Sequence, residues 1–186
     1  LKDITLKIPK PLLKISNTTI IEYLVDCLKE IGISKIYIVT GFKSQMIKAK
    51  LGNKVNYIHN NKFKTTNSIY SLFLAKKHLE NSSFILINSD ILLSKVYFLK
   101  ILKFNNSTSF GIKRKKYING EMNIVLKNKL IKKIGKNIKK DESNAESAQI
   151  SYFIKKDSKI LFRKISQLIN NKFKNLFPAY AYQAVI

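Results

Sequence analysis

The 186-residue sequence predicts a three-layer α/β fold around a mainly parallel mixed sheet. Three observations carry that expectation. Continuous apolar runs, such as residues 36–39 and 84–87, read as strands buried on both faces. Between them lie stretches with apolar residues every three or four positions, the spacing of helices packed on a sheet. The two alternate through residue 104, after which β-like runs dominate.

Each element follows from its residues. From Thr18 to Ile31, Ile20, Ile21, Leu24, Val25 and Leu28 fall on one helical face, and Gly32 is the stop. A strand over Ile36–Val39, a short helix over Ser44–Leu51 and a strand over Val55–Ile58 come next. Asn67–Leu79 reads as a helix, and Phe84–Ile87 as a strand that ends at Asn88-Ser89-Asp90. Val96–Phe104 is helical again. Ser109–Ile112, Met122–Leu126, Leu130–Ile134 and Ile150–Ile154 are β-like, with Asn128 at a hairpin turn, and Asp157–Asn170 is helical. With no repeat or linker between, residues 1–186 are expected to form one domain of two halves, 1–104 and 105–186.

Composition narrows the class. A hydrophobic share of 45% excludes a disordered chain. No apolar run approaches the roughly 20 residues of a membrane-spanning helix. One cysteine, Cys27, excludes a disulfide framework and is expected in the core. A soluble, cytoplasmic protein is expected. The net charge of +24 invites a polyanionic partner, but only Arg114 and Arg163 are arginine and the lysines are spread along the chain. Base-reading surfaces lean on arginine's planar fork. Most of the charge therefore reads as solvated surface, the Lys113-Arg114-Lys115-Lys116 cluster included, and nucleic acid is not the expected partner. His59 and His78 lack metal-ligand spacing.

In open α/β sheets, ligands bind beyond the carboxyl ends of the strands. Lys10 stands between Pro9 and Pro11, which stiffen its loop and keep it out of a helix. Such a lysine suits a polyphosphate, though a surface turn would use the same residues. Asp90 directly follows a buried strand, placed either to hold a divalent cation or to cap the next helix. Thr66 or Asn67 could cap a helix whose free N–H groups favour an anion, and ordinary capping needs the same residue types.

As an ordered set these segments resemble the NTP-transferase family. The set runs from Leu1-Lys2-Asp3-Ile4-Thr5 through Pro9-Lys10-Pro11-Leu12-Leu13, a helix ending in Gly32-Ile33, and Ile38-Val39-Thr40-Gly41-Phe42. It continues with Asn60, then Thr66-Asn67-Ser68-Ile69-Tyr70-Ser71-Leu72, then Asn88-Ser89-Asp90. Glu121-Met122 and Glu146-Ser147 make the chain most similar to the bacterial choline-phosphate cytidylyltransferase and sugar-phosphate nucleotidyltransferase branch. The resemblance implies a Rossmann-like, GT-A-like fold whose first half binds an NTP, CTP favoured, and whose second half binds a small phosphorylated acceptor. Lys10 would bind the triphosphate and Asp90 would coordinate Mg²⁺. Asn60, Thr66 and Asn67 would lie near the base, Tyr70 and Ser71 on the nucleotide or acceptor side, and Glu146 would face the acceptor pocket. The family's Gly-rich loop precedes the first residue here and its second metal-binding aspartate falls beyond the last, so the chain is expected to be short at both ends. The alternative is a non-catalytic basic α/β module that binds RNA or another polyanion.

Overall fold

Apolar residues at helical and strand spacing sort onto two faces of a sheet in the computed structural model, which describes residues 6–103, 106–113 and 117–186. The opening segment Leu1–Thr5, the Phe104 end of one expected helix and Arg114–Lys116 of the basic cluster lie outside the described residues.

Lys10–Leu12 form a single 3-10 turn with Pro11 in its first positions. The prolines exclude an α-helix here but not this tighter turn. A short hairpin of β1 (Lys14–Ile15) and β2 (Thr18–Thr19) leads into α1 (Ile20–Glu30). Thr19 caps α1 reciprocally: its Oγ1 accepts the Glu22 N–H, and the Glu22 carboxylate accepts the Thr19 N–H at 3.1 Å. Burial pushes the Glu22 carboxyl up, but hydrogen bonds from Thr19 and Lys50 outweigh it and hold the group below its ordinary range. Thr19→Ala is expected to cost about 1 kcal/mol, read by urea denaturation. Because the Glu22 pKa is lowered on folding, its stabilising share is present above the ordinary carboxylate range and lost as pH falls through the lowered value.

Five strands and four α-helices then carry the chain to the end of β7. They are β3 (Tyr37–Thr40), α2 (Ser44–Leu51), β4 (Asn56–His59), α3 (Ser68–Leu74), α4 (Lys76–Leu79), β5 (Phe84–Ile87), α5 (Lys95–Leu102), β6 (Ser109–Lys113) and β7 (Asn123–Lys127). β8 (Leu130–Gly135), β9 (Ala145–Phe153), α6 (Lys155–Asn170) and α7 (Ala179–Tyr182) complete it. On one face, Leu24 and Leu28 of α1 and Phe98 of α5 pack with Ile150 and Tyr152 of β9. On the other, Leu72 of α3 and Phe162 of α6 pack with Phe84 of β5 and Phe153 of β9. This is the three-layer arrangement.

Among the described strands, parallel pairing is confined to β3 and β4, from Tyr37 opposite Asn56 to Thr40 opposite His59. The other sheet is antiparallel, with order β5-β9-β7-β8 and β6 along the opposite edge of β9. The second half returns by a tight hairpin where a parallel strand would need a helical crossover. Asn128 and Lys129 turn it with φ of 52° and 64°, the doubly left-handed turn that matches strand twist. β9 begins at Ala145, five residues before the Ile150 start expected from hydropathy. Glu146, Ser147 and Gln149 mask its amino-terminal half, which is a strand because neighbours pair along it. The expected helix 67–79 divides at Ala75, whose N–H bonds back three residues to Leu72 O at 3.1 Å. Neither β3 nor β5 has a second strand partner among the described residues, and most of each strand is only half-buried.

Candidate active site

β3, β4 and β5 run out into Thr40-Gly41, Asn60 and Asn88-Ser89-Asp90 respectively. The 3-10 turn brings Lys10 to the last of these: its Nζ stands 4.0 Å from Asp90 Oδ2, with both side chains open to solvent. Eighty sequence positions separate the two, so the approach is a product of the fold. Asp90 is not the cap of the following helix; Ser94 holds that place before α5. Its carboxylate is therefore available to a ligand.

The structure gathers Asn60, Thr66 and Ser71 into one hydrogen-bonded group. Asn60 is 3% exposed, and its N–H bonds Thr40 O at 2.8 Å, tying it to the end of β3. Its Nδ2 donates to Thr66 Oγ1 at 3.2 Å and Ser71 Oγ at 3.3 Å, while Oδ1 accepts the Lys62 N–H. Gly41 makes this possible: a Cβ there would lie 2.5 Å from the Phe63 Cβ, so only glycine lets that loop close on β3. Asn67 caps α3, its Oδ1 accepting the Ser68 N–H at 2.7 Å, while its own N–H bonds Lys174 O. Tyr70 is half-buried, with its ring stacked on Phe73 at 6.0 Å.

A cleft of about 140 Å³ opens between the end of β5, the β7–β9 sheet and α7. Asn88, Glu121, Lys136, Gln149 and Phe177 are among its lining residues. Sequence reading did not single out Lys136, Gln149 or Phe177, and noted Glu121 only through the resemblance. Glu146 is not brought to this cleft. It alternates with Ser147 and Gln149 along β9, so it falls on the opposite face, 6% exposed, 3.4 Å from Lys113 Nζ. Burial pushes the Tyr182 phenol, another lining group, well above its ordinary range, and a hydrogen bond to Ser151 offsets this only in part.

Other candidates stand elsewhere. A wider groove of about 640 Å³ lies between α4 and α6, lined by Lys76, Lys159 and Arg163, and holds none of the residues above. His78 stacks on Tyr37 at 4.5 Å, His59 Nδ1 lies 3.5 Å from Thr40 Oγ1, and Cys27 is buried in the α1 core. No helix among the described residues is long and apolar enough to cross a membrane.

An NTP site implies a divalent cation, and the donors present can be tested against one. No group of three or more His, Cys, Asp or Glu converges among the described residues, which rules against an all-protein cage there. Mg²⁺ needs no such cage; one or two carboxylates suffice when phosphates and water fill the other positions. Asp90, with its side chain 40% exposed at a strand end, fits that role.

Fold and strand-end geometry together define an α/β domain with a polar candidate site beyond its strands, and the comparisons say which kind. The family description "Nucleotidyl transferase" matches residues 1–120, and the chain belongs to that family. The choline-phosphate cytidylyltransferase of Streptococcus pneumoniae is 35% identical over 117 residues, covering 61% of this chain and 48% of that protein. The chain thus spans about half the length of the curated relative it matches. Its structure is similar to that of a CTP:phosphocholine cytidylyltransferase from Streptococcus pneumoniae, with a TM-score of 0.74, 22% identity and coverage of 98% and 78% of the two chains. The inositol-1-phosphate CTP transferase from T. maritima gives a TM-score of 0.72 at 19% identity, covering 98% and 74%. The fold is the Rossmann-like fold of nucleotidyltransferases.

Proposed function

We propose that this chain is the nucleotide- and acceptor-binding part of an enzyme that transfers a cytidylyl group from CTP to a small phosphomonoester. The observation that carries the reading is the meeting of Lys10 and Asp90 beyond β5, within a chain of the nucleotidyl transferase family. The cytidylyltransferases among the relatives favour CTP as donor, and the acceptors they are named for, phosphocholine and inositol 1-phosphate, favour a small phosphorylated alcohol. Family membership also favours an enzyme over a polyanion-binding module.

In this reading residues 1–104 bind the nucleotide and residues 105–186 the acceptor. β9 pairs with β5 and so joins the two halves. An acceptor phosphate oxygen attacks the α-phosphorus, the bond from that phosphorus to the bridging oxygen breaks, and pyrophosphate leaves. No covalent enzyme intermediate is required, so positioning and charge neutralisation carry the rate. Lys10, stiffened by Pro9 and Pro11, places one positive charge on the phosphates. Asp90 would hold Mg²⁺, which supplies neutralisation of phosphate oxygens when bound. The Asn60–Thr66–Ser71 group and Asn67 present fixed amide and hydroxyl dipoles toward the base side.

The test is pyrophosphate release by the full-length protein with Mg²⁺, across four NTPs and a panel of phosphomonoesters. Turnover with CTP above the other three is expected. Preference for another base, or no productive pair at all, would defeat this reading.

A further inference from the structure

Gln149 holds a backbone shape that its residue type disfavours. Its φ of 59° puts a side-chain-bearing residue in the left-handed region, where glycine alone is at ease. It sits between the part of β9 that pairs with β7 and the part that pairs with β5. Two bonds hold it to the end of β5: Gln149 O accepts the Asn88 N–H at 3.1 Å, and Gln149 Oε1 accepts from Asn88 Nδ2. Strain of this kind persists where surroundings fix it, and it clusters at ligand sites.

Each amide side chain has an oxygen that accepts and an NH2 group with two hydrogens to donate. The bond between them uses the donor of Asn88 and the acceptor of Gln149. Besides the second Nδ2 hydrogen of Asn88, this leaves the Asn88 Oδ1 acceptor and the Gln149 Nε2 donor, neither with a protein partner among the described residues. Both residues line the 140 Å³ cleft. A hydroxyl group satisfies this pair at once, donating to Oδ1 and accepting from Nε2. A trimethylammonium group can do neither.

The aromatic rings of the cleft agree. A quaternary ammonium is recognised by open aromatic faces. Of the cleft's two described rings, Phe177 already carries the Lys136 ammonium 4.5 Å above it. The other, Tyr182, is packed against Phe110 and Phe153 at 5.2 and 5.4 Å.

We infer that the Asn88–Gln149 amide pair is a specificity-determining element that recognises a hydroxyl group of the phosphorylated acceptor, so that the cleft takes a polyol or sugar phosphate in preference to phosphocholine. The inference rests on the transferase reading above and deepens it. It is tested in the full-length protein with Gln149→Gly and Gln149→Glu. The glycine variant removes the side chain while relieving the left-handed backbone, so it should melt no lower than wild type. The glutamate variant still accepts from Asn88 but replaces the Nε2 donor with oxygen.

Calorimetric binding would be measured for glycerol 3-phosphate, glucose 1-phosphate, phosphocholine, CTP and dCTP with Mg²⁺. Wild type is expected to prefer a hydroxyl-bearing phosphate. Both variants should weaken that binding about tenfold, the scale of one hydrogen bond to a charged or well-placed partner; the glycine variant should leave phosphocholine and CTP unchanged, and the glutamate variant, whose added charge repels any phosphate, should weaken the hydroxyl-bearing phosphates more than phosphocholine. The inference is overturned if wild type binds neither hydroxyl-bearing phosphate, if it prefers phosphocholine, or if the variants weaken all acceptors alike or none. A loss confined to CTP and absent with dCTP would assign the pair to the ribose and overturn it too. Turnover is followed in parallel: absence of pyrophosphate release with every pair sinks the transferase reading, while the binding pattern still decides the amide pair.

Discussion

Lys10→Ala in the full-length protein is expected to lower kcat/KM for nucleotidyl transfer by about 10²–10³-fold, the usual effect of deleting one preorganised group aimed at developing charge. The loss should fall in kcat at least as much as in KM, because the charge on the phosphates rises toward the transition state. Folding should be untouched. Lys10 and Asp90 form an exposed pair 4.0 Å apart, a contact that contributes little to stability. A variant that melts like wild type but turns over like wild type would remove Lys10 from the mechanism. Asp90→Asn is expected to give a loss of similar size with a weakened response to added Mg²⁺. Unchanged metal dependence would reassign the aspartate.

Phe153→Ala carries the largest expected stability effect, about 3–5 kcal/mol, read as a fall in the urea midpoint with little change in slope. Phe153 is 0% exposed on the central strand β9. Its ring lies 5.1 Å from Phe84, 5.7 Å from Phe110 and 5.4 Å from Tyr182, so truncation opens a void among three aromatic rings from different elements. Phe84 and Phe110 flank β9 from two of its neighbouring strands, β5 and β6. A cost under 1 kcal/mol would mean that the site collapses freely, and that this cluster is not what holds the sheet to α6 and α7.

The parts of the site legible in the sequence were those with a local signature. Two prolines around one lysine, and one acid after a buried apolar strand, can be read without knowing what lies opposite, and the fold brings that pair together. Gly41 was legible only as part of a motif; its need for a bare Cα becomes physical through Phe63, which lies 22 positions on. Gln149 was not legible at all. Its left-handed backbone and its bond to Asn88 depend on the register of β9 against β5, which no local pattern encodes. The same polar residues that line the cleft broke the apolar run and hid half of β9. Glu146 shows the complementary difficulty: a resemblance names a position, but the alternation of a strand decides which face receives the side chain. For the fold, alternation of apolar runs with helical spacing was enough to give the layers, whereas the pairing sense in the second half depended on hairpin turns.

The half-buried strands β3 and β5, each bonded along one side only among the described residues, bear on how the protein behaves at high concentration. Partly exposed apolar surface favours contact with another molecule. What opposes such encounters is the long-range repulsion of a chain with net charge +24. That repulsion reaches about 10 Å at 0.1 M salt and only about 3 Å at 1 M. The lysines that do not mark a nucleic-acid surface thus have a colloidal role: dilute buffer keeps neighbouring molecules apart, and concentrated salt lets them approach.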